Sequence, residues 1–343
     1  MKIIDIIRDN QGKGHSLEFF PPKTQLGIEN IKNRILKFYS SKNPPRFIDL
    51  TWGAGGSTSD TTFGLTKHWN DMSDIWVNMH LTCTNIAVDE IDKVLDDCAN
   101  AGIRNIVALR GDPPGDISGE WHKATNGFSC ALDLVKHIRS RPDGKEWCIT
   151  VSGYPEGHSS SFSKIDVAEI DSLSDDEKNR LTCDLDNGEY WVCRDVDFAK
   201  ELEYLKKKVD AGADLIVTQL FWNCNLFLKF VERCREIGII CPILPGIMLF
   251  QNIRGFKRMS KKQSVPEEIA KKVKELEEIE KLDPEVAKLE ILEYGEQLGK
   301  NMCKELKEGS FKSGSLKSCG VEWFHFYTLN KERVAKSVVE SLY

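Results

Sequence analysis

The chain has 343 residues, 41% of them apolar, with a net charge of -6. That is enough apolar material for two ordinary domains or one large α/β barrel, and too acidic a balance for a global field that recruits nucleic acid or an anionic membrane. No apolar run approaches bilayer-spanning length, and the opening Met1-Lys2-Ile3-Ile4-Asp5 lacks the long apolar stretch and cleavage site of a signal peptide, so the cytoplasm is the expected location.

Short β-rich runs alternate with longer helical patterns along the sequence. The runs fall at 15–20, 46–52, 75–81, 104–110, 147–153, 213–220, 240–246 and 321–328. Between most of them lie amphipathic segments, such as Ile28 to Leu36 and Val88 to Ala101, with apolar residues at helical spacing. Ala101-Gly102 and Ala211-Gly212 each precede a new strand, as a helix C-cap does. Eight strand–helix units predict a parallel sheet closed into a (β/α)8 TIM-type barrel, a single catalytic domain over 1–343. An open doubly wound sheet would want G-x-G-x-x-G after the first strand, and none stands there. Residues 159–195 are polar and acidic and far longer than an ordinary βα loop, so they are expected to form an insertion or lid after strand five. The mixed charges of 260–308 read as solvated helical faces.

The eleven cysteines include no C-x-x-C pair, and the seven histidines show no zinc spacing. Buried free thiols and no metal are the expectation. Gly53-Ala54-Gly55-Gly56-Ser57-Thr58 lacks the P-loop lysine and reads as a βα loop, with Ser57 or Ser59 capping the next helix. The Phe and Leu positions of 221–230 recur at helical spacing and belong to the core.

In a barrel of this type the chemistry collects at the strand C-termini. Strand one ends at Glu18, within Ser16-Leu17-Glu18-Phe19-Phe20-Pro21-Pro22. A carboxyl among Leu and Phe is partly desolvated, which disfavours its charged form and suits a general acid. The other strands deliver Thr51 and Trp52, His80, Arg110-Gly111-Asp112, Tyr154 with His158, Gln219, and His325 with Tyr327. Arg110 and Lys208 can meet phosphate, Gly111 allows close backbone approach, and Trp52 and Tyr154 offer flat faces to a ring system. Gln219 both donates and accepts, and an ionised Asp112 only accepts. These groups fit a planar heterocycle together with a phosphorylated cofactor. Glu18 and Asp112 alone would also fit a two-carboxylate barrel hydrolase, and a non-catalytic relative would use the acidic insertion as a partner-docking segment.

Eight ordered segments make the chain resemble the methylenetetrahydrofolate reductase family. They are Leu17-Glu18-Phe19-Phe20-Pro21-Pro22, Leu50-Thr51-Trp52-Gly53-Ala54, His80-Leu81-Thr82-Cys83, Leu109-Arg110-Gly111-Asp112-Pro113, Gly153-Tyr154-Pro155-Glu156, the run from Lys206 to Asp214, Thr218-Gln219-Leu220-Phe221, and the run from Phe324 to Asn330. The resemblance implies a barrel that binds FAD through Thr51, Trp52, His80, Arg110, Gly111, Asp112, Cys130, Ala131, Tyr154, His158 and Lys208. It implies that NAD(P)H approaches near Glu18, Phe19, Phe20, Pro21, Pro22 and Lys23, beside Gln219. The folate, in free or polyglutamylated form, would meet Asp112, Gln219, Tyr327 and Lys331. The implied reaction is a two-step hydride relay from NAD(P)H through the flavin to methylenetetrahydrofolate, with Glu18 as general acid. Cys130 stands where the family often has Tyr, Glu201 where a shorter Asp is usual, and Lys331 where Arg is frequent. Animal, plant and yeast members continue into a regulatory domain that has no counterpart among these segments, so inhibition by S-adenosylmethionine through that domain is not expected. A homodimer would suit an exposed barrel face.

Overall fold

In the computed structural model the description covers residues 1–10, 13–53, 58–72, 75–112, 121–313 and 322–342. The Gly-rich loop from Ala54 to Ser57, Pro113 and Cys319 lie outside the described residues.

The strands are β1 (Lys13–Phe19), β2 (Phe47–Leu50), β3 (Val77–Thr82), β4 (Asn105–Leu109), β5 (Cys148–Gly153), β6 (Phe162–Ile165), β7 (Thr182–Cys183), β8 (Tyr190–Cys193), β9 (Leu215–Thr218), β10 (Ile243–Leu244), β11 (Gly246–Met248) and β12 (Glu322–Tyr327). The helices are α1 (Ile3–Asp9), α2 (Gln25–Tyr39), α3 (Ser59–Asn70), α4 (Val88–Asn100), α5 (Ala131–Ser140), α6 (Asp175–Asn179), α7 (Asp195–Asp210), α8 (Cys224–Glu236), α9 (Ile253–Met259), α10 (Glu267–Leu282), α11 (Pro284–Ser313) and α12 (Arg333–Glu340).

Nine strands form one parallel sheet in the order β10-β9-β5-β4-β3-β2-β1-β12-β11. Its two ends, β10 and β11, are consecutive in sequence and flank Pro245, so the chain itself closes the barrel. They are the two halves of the seventh stave, expected at 240–246. The break falls at the residue that has no N–H to give a ladder, while its carbonyl still accepts from His325 N at 3.0 Å. The TIM-type barrel read from the alternation is therefore the fold, with the seventh stave reaching Met248 rather than ending at 246. Helices stop where glycine permits it, since Gly102 and Gly212 follow α4 and α7 with φ of 73° and 114°. Helix α3 begins at Ser59 with Thr58 as its N-cap residue, in place of the expected serine cap, and the Thr58 hydroxyl accepts from Gly53 N at 2.8 Å.

The core lies between the barrel and its helices. Trp69, Trp147, Trp222, Phe221, Phe227 and Phe230 are almost fully buried, as the apolar spacing of 221–230 requires. A second apolar cluster closes the N-terminal end of the barrel. There Ile3, Ile4, Ile6 and Ile7 of α1 pack on Phe47, Cys148, Leu215, Leu244 and Trp323. The charges of α10 and α11 are mainly solvent-facing.

The segment 159–195 is a folded unit. Strands β6, β8 and β7 make an antiparallel sheet with a small core of Ile165, Leu173 and Val192. It is fixed to α7 by Arg180, which is buried, donates to Cys193 O at 3.1 Å, lies 4.3 Å from the Phe198 ring centroid and pairs with Asp195. Among the described residues no helix is long and apolar enough to cross a membrane.

Candidate active site

Because the sheet is parallel, all barrel strands end on one side, and α1 closes the other. Register then decides which side chains share a level of that mouth. Glu18 pairs with Asp49 of β2 and Tyr327 of β12. Glu18 is buried to 7% exposure. Its Oε2 lies 3.6 Å from His80 Nε2 and 3.8 Å from His325 Nε2. Thr328 Oγ1 donates to the Glu18 carbonyl at 2.6 Å, which fixes the strand end. Tyr327 donates to Thr218 O at 2.7 Å across the mouth, and burial, then the Glu18 and Asp49 charges, push its phenol well above its ordinary value.

His80 is flanked by two carboxyls, Glu18 and, at 3.3 Å, Asp49. Burial works against a charged ring, but the hydrogen bond to Asp49 and the Glu18 and Asp49 charges outweigh it and raise His80 above the usual imidazole range. Asp49 also accepts from Asn78 Nδ2 at 3.2 Å, and Asn78 donates to Thr150 Oγ1 at 3.1 Å. This polar floor of Asp49, Asn78 and Thr150 was missed in the sequence. Its one visible signal is an acid inside the apolar run Phe47-Ile48-Asp49-Leu50.

A second cluster forms beside it. Glu201, Tyr204 and Lys208 recur at three- and four-residue spacing on α7 and so share a face. Lys208 is 3% exposed, donates to Ser152 O at 2.7 Å, and sits 5.1 Å from the Tyr204 ring centroid. Burial lowers its ammonium to about 8, against the opposing pull of Glu201 and Cys130. Tyr154 and His158 meet edge-on at 4.9 Å. Burial and then the charges of Asp112 and Glu201 raise Tyr154 to about 12, with Arg110 opposing. Burial lowers His158, and Glu201, Arg110, Lys208 and Asp112 all act on it. Tyr154 also acts on Tyr327, so it joins the two clusters. Ser161 of the insertion donates to Glu201, which links that unit to the site.

Gly111 has φ of 88°, and a Cβ there would stand 2.7 Å from both Thr82 Cβ and Thr84 Oγ1. Only glycine suits that turn. Thr84 in turn accepts from Trp121 Nε1 at 2.7 Å and donates to Arg110 O at 2.8 Å, and the Arg110 guanidinium lies 5.4 Å from the Trp121 ring centroid.

The remaining expected residues divide between the rim and the core. Gln219 is exposed and its Oε1 accepts from Leu220 N at 2.9 Å. Asp112, Phe20, Lys23 and Lys331 are exposed, Pro22 is half-buried and Pro21 buried. Phe19 points the other way, into the core against Phe38, as alternation along a strand demands. Thr51, Arg110 and Cys130 are half-buried, and Trp52 and Ala131 buried. A cavity of about 210 Å3 between α6, α7 and α8 is lined by none of these site residues.

The buried, unpartnered Trp52 Nε1 and Thr82 Oγ1, the buried Lys208 and the tight turn at Gly111 fit a large ligand with flat and anionic parts. Fold and mouth together define a barrel-mouth site: a buried carboxyl beside two imidazoles, adjoining a cation-bearing cradle. The chain belongs to the methylenetetrahydrofolate reductase family, whose model matches residues 2–343. It is 39% identical to methylenetetrahydrofolate reductase (NADH) 1 of Zea mays and 40% identical to that of Arabidopsis thaliana, each covering 100% of this chain and 51% of the relative. The chain thus spans about half the length of these plant relatives. It is 31% identical to 5,10-methylenetetrahydrofolate reductase of Escherichia coli, over 95% of this chain and 90% of that one. Among solved structures, a Clostridium thermocellum protein described as binding two copies of 5-methyl-5,6,7,8-tetrahydrofolic acid superposes with a TM-score of 0.60 at 11% identity, over 99% of this chain and 98% of that one, a likeness of fold.

Proposed function

We propose that the protein reduces 5,10-methylenetetrahydrofolate to 5-methyltetrahydrofolate with a reduced nicotinamide nucleotide, through bound FAD. Thr51, Trp52, His80, Arg110, Gly111, Asp112, Cys130, Ala131, Tyr154, His158 and Lys208 would hold the flavin. That group supplies a hydride carrier between nucleotide and folate. NADH is the reductant to try first, since the plant relatives carry it in their names.

The observation that carries the proposal is Glu18, a carboxyl 7% exposed at the foot of the mouth in a chain of this family. Glu18 delivers a proton toward N(10) of the folate as the five-membered ring opens, and its apolar and imidazole surroundings exclude water from that proton. Asp112, exposed at the end of β4, accepts from the adjacent N–H groups of the pterin. Gln219, at the end of β9, would meet the same edge, and Tyr327, braced on Thr218, would contact the folate beside it. Lys331 stands on the rim, where a folate carboxylate would lie. Arg110 and Lys208 supply positive charge for phosphate.

Glu18→Gln keeps the shape and removes the proton. Anaerobic stopped flow is expected to show flavin reduction by nucleotide near the unsubstituted rate. Reoxidation by the folate should slow by about 10²–10⁴-fold, the usual worth of a general acid. Unimpaired reoxidation in that variant would reject Glu18 as the donor.

A further inference from the structure

Asp49 has no part in the reaction as described above, yet it sits at its centre. It is 1% exposed on β2, beside Glu18 in the register. Its Oδ2 and Glu18 Oε2 both approach the same nitrogen, His80 Nε2, at 3.3 and 3.6 Å. One N–H cannot serve two carboxyls equally, and Asp49 is the nearer and the more buried. Asn78, itself tied to Thr150, holds Asp49 Oδ2 in place. The other histidine near Glu18, His325, is held through Nδ1 by Ser16 Oγ at 2.9 Å, and its Nε2, 3.8 Å from Glu18 Oε2, is beyond hydrogen-bond distance of it.

We infer that Asp49 is a positioning residue: it takes the Nε2–H of His80, fixes that ring, and thereby leaves Glu18 holding the proton it donates. The inference deepens the reading of Glu18 as proton donor and rests on it.

Charge balance in a dry barrel interior points the same way. The charged groups that act on His80 are Glu18 on β1 and Asp49 on β2; His325 on β12 lies 3.8 Å from Glu18 Oε2, and Tyr327, also on β12, feels Glu18, Asp49 and Tyr154. Both phenols are held neutral by burial. An ionised Asp49, a protonated His80 and a protonated Glu18 then sum to zero charge. Ionising Glu18 as well would leave a net negative charge in a largely buried cluster, which is costly. The hydrogen bond that His80 gives to Asp49 is one of the influences that raise the imidazole against the cost of burial. Removing the Asp49 charge reverses the choice. His80 then has one carboxyl left to pair with, Glu18 becomes its counter-ion, and the Glu18 proton goes to solvent.

The test is Asp49→Asn, read in two ways. Infrared difference titration of the purified protein, with Glu18→Gln as the subtraction reference, reports the C=O stretch of a protonated Glu18 without reference to turnover. That band is expected at neutral pH in the unsubstituted protein, and in Asp49→Asn only after acidification. Stopped flow across pH gives the second readout. In Asp49→Asn the folate step should be slowed tenfold or more at pH 7 and recover at lower pH, its profile moving down by about one pH unit or more. Flavin reduction by nucleotide should keep its profile. An equal loss at every pH would mean a merely structural Asp49 and would overturn the inference. So would a missing Glu18 band in the unsubstituted protein, whether or not the variant folds. Failure of the folate to reoxidise the flavin of the unsubstituted protein would instead reject the proposed reaction, while the infrared result stands apart from it.

Discussion

Glu156 lies two residues beyond Tyr154 and is 2% exposed. Ser264 N donates to its Oε2 at 2.9 Å, and Oε1 has no partner. Burial raises this carboxyl from an ordinary 4.5 to about 8, and the Ser264 bond only partly opposes it. In the unfolded chain the group ionises near 4.5, so above that pH folding must take up a proton. A raised folded-state value means the favourable contribution is complete below the unfolded value and is lost as pH rises toward about 8. Each pH unit in that window is worth about 1.4 kcal/mol. Glu156→Gln keeps the acceptor for Ser264 and abolishes the linkage. Urea unfolding of both proteins at pH 5 and pH 7.5 is the assay, with m compared to check that the exposed area is unchanged. The variant's advantage over the unsubstituted protein should grow by about 3 kcal/mol between the two pH values. Near pH 5 it should be small or slightly negative, because the new amide brings a second buried donor. An advantage that is the same at both pH values would refute the buried, protonated state of Glu156.

Two further substitutions, with one control, probe the frame of the mouth. Gly111→Ala should lower thermal stability by about 2 kcal/mol or more and weaken flavin retention, since it adds left-handed strain to a 2.7 Å clash with Thr82 and Thr84. Gly188→Ala is the control, because φ there is 71° but nothing lies within 4 Å, so only the strain of about 1–2 kcal/mol should appear in the melting curve. Tyr327→Phe strips the bond to Thr218 O and leaves a buried carbonyl underserved, at an expected cost of about 1–2 kcal/mol in urea unfolding. No loss in that variant would mean the phenol does not brace the mouth.

The barrel was legible because each stave is a short apolar run bounded by polar residues or glycine, and closed parallel sheets bury both faces of such runs. The division of the seventh stave could have been read from Pro245, whose missing N–H forbids a continuous ladder. Helix α1 was not legible. Its isoleucines favour strands by propensity, and burial against the barrel's end decides the matter. The small sheet of β6, β7 and β8 escaped for the opposite reason: its strands have only two to four residues, too few for an alternating pattern to show. At the site, residues at stave ends such as Glu18, Trp52 and Tyr154 could be placed by topology alone. Which of them touch could not. Asp49 reaches His80 because strand register sets it level with Glu18, and no pattern along a single strand encodes that neighbour. Phe19 belongs to the Glu18 motif in sequence yet faces the core, as its two-residue alternation foretells.

The central claim is a hydride relay from nucleotide through flavin to folate in this barrel mouth. It is tested most directly by the visible spectrum of the purified protein under anaerobic conditions, first with NADH or NADPH added and then with methylenetetrahydrofolate. The flavin bands are expected to bleach with nucleotide and to return with the folate. A protein that cannot be reconstituted with FAD, or bands that bleach and never return with the folate, would contradict it.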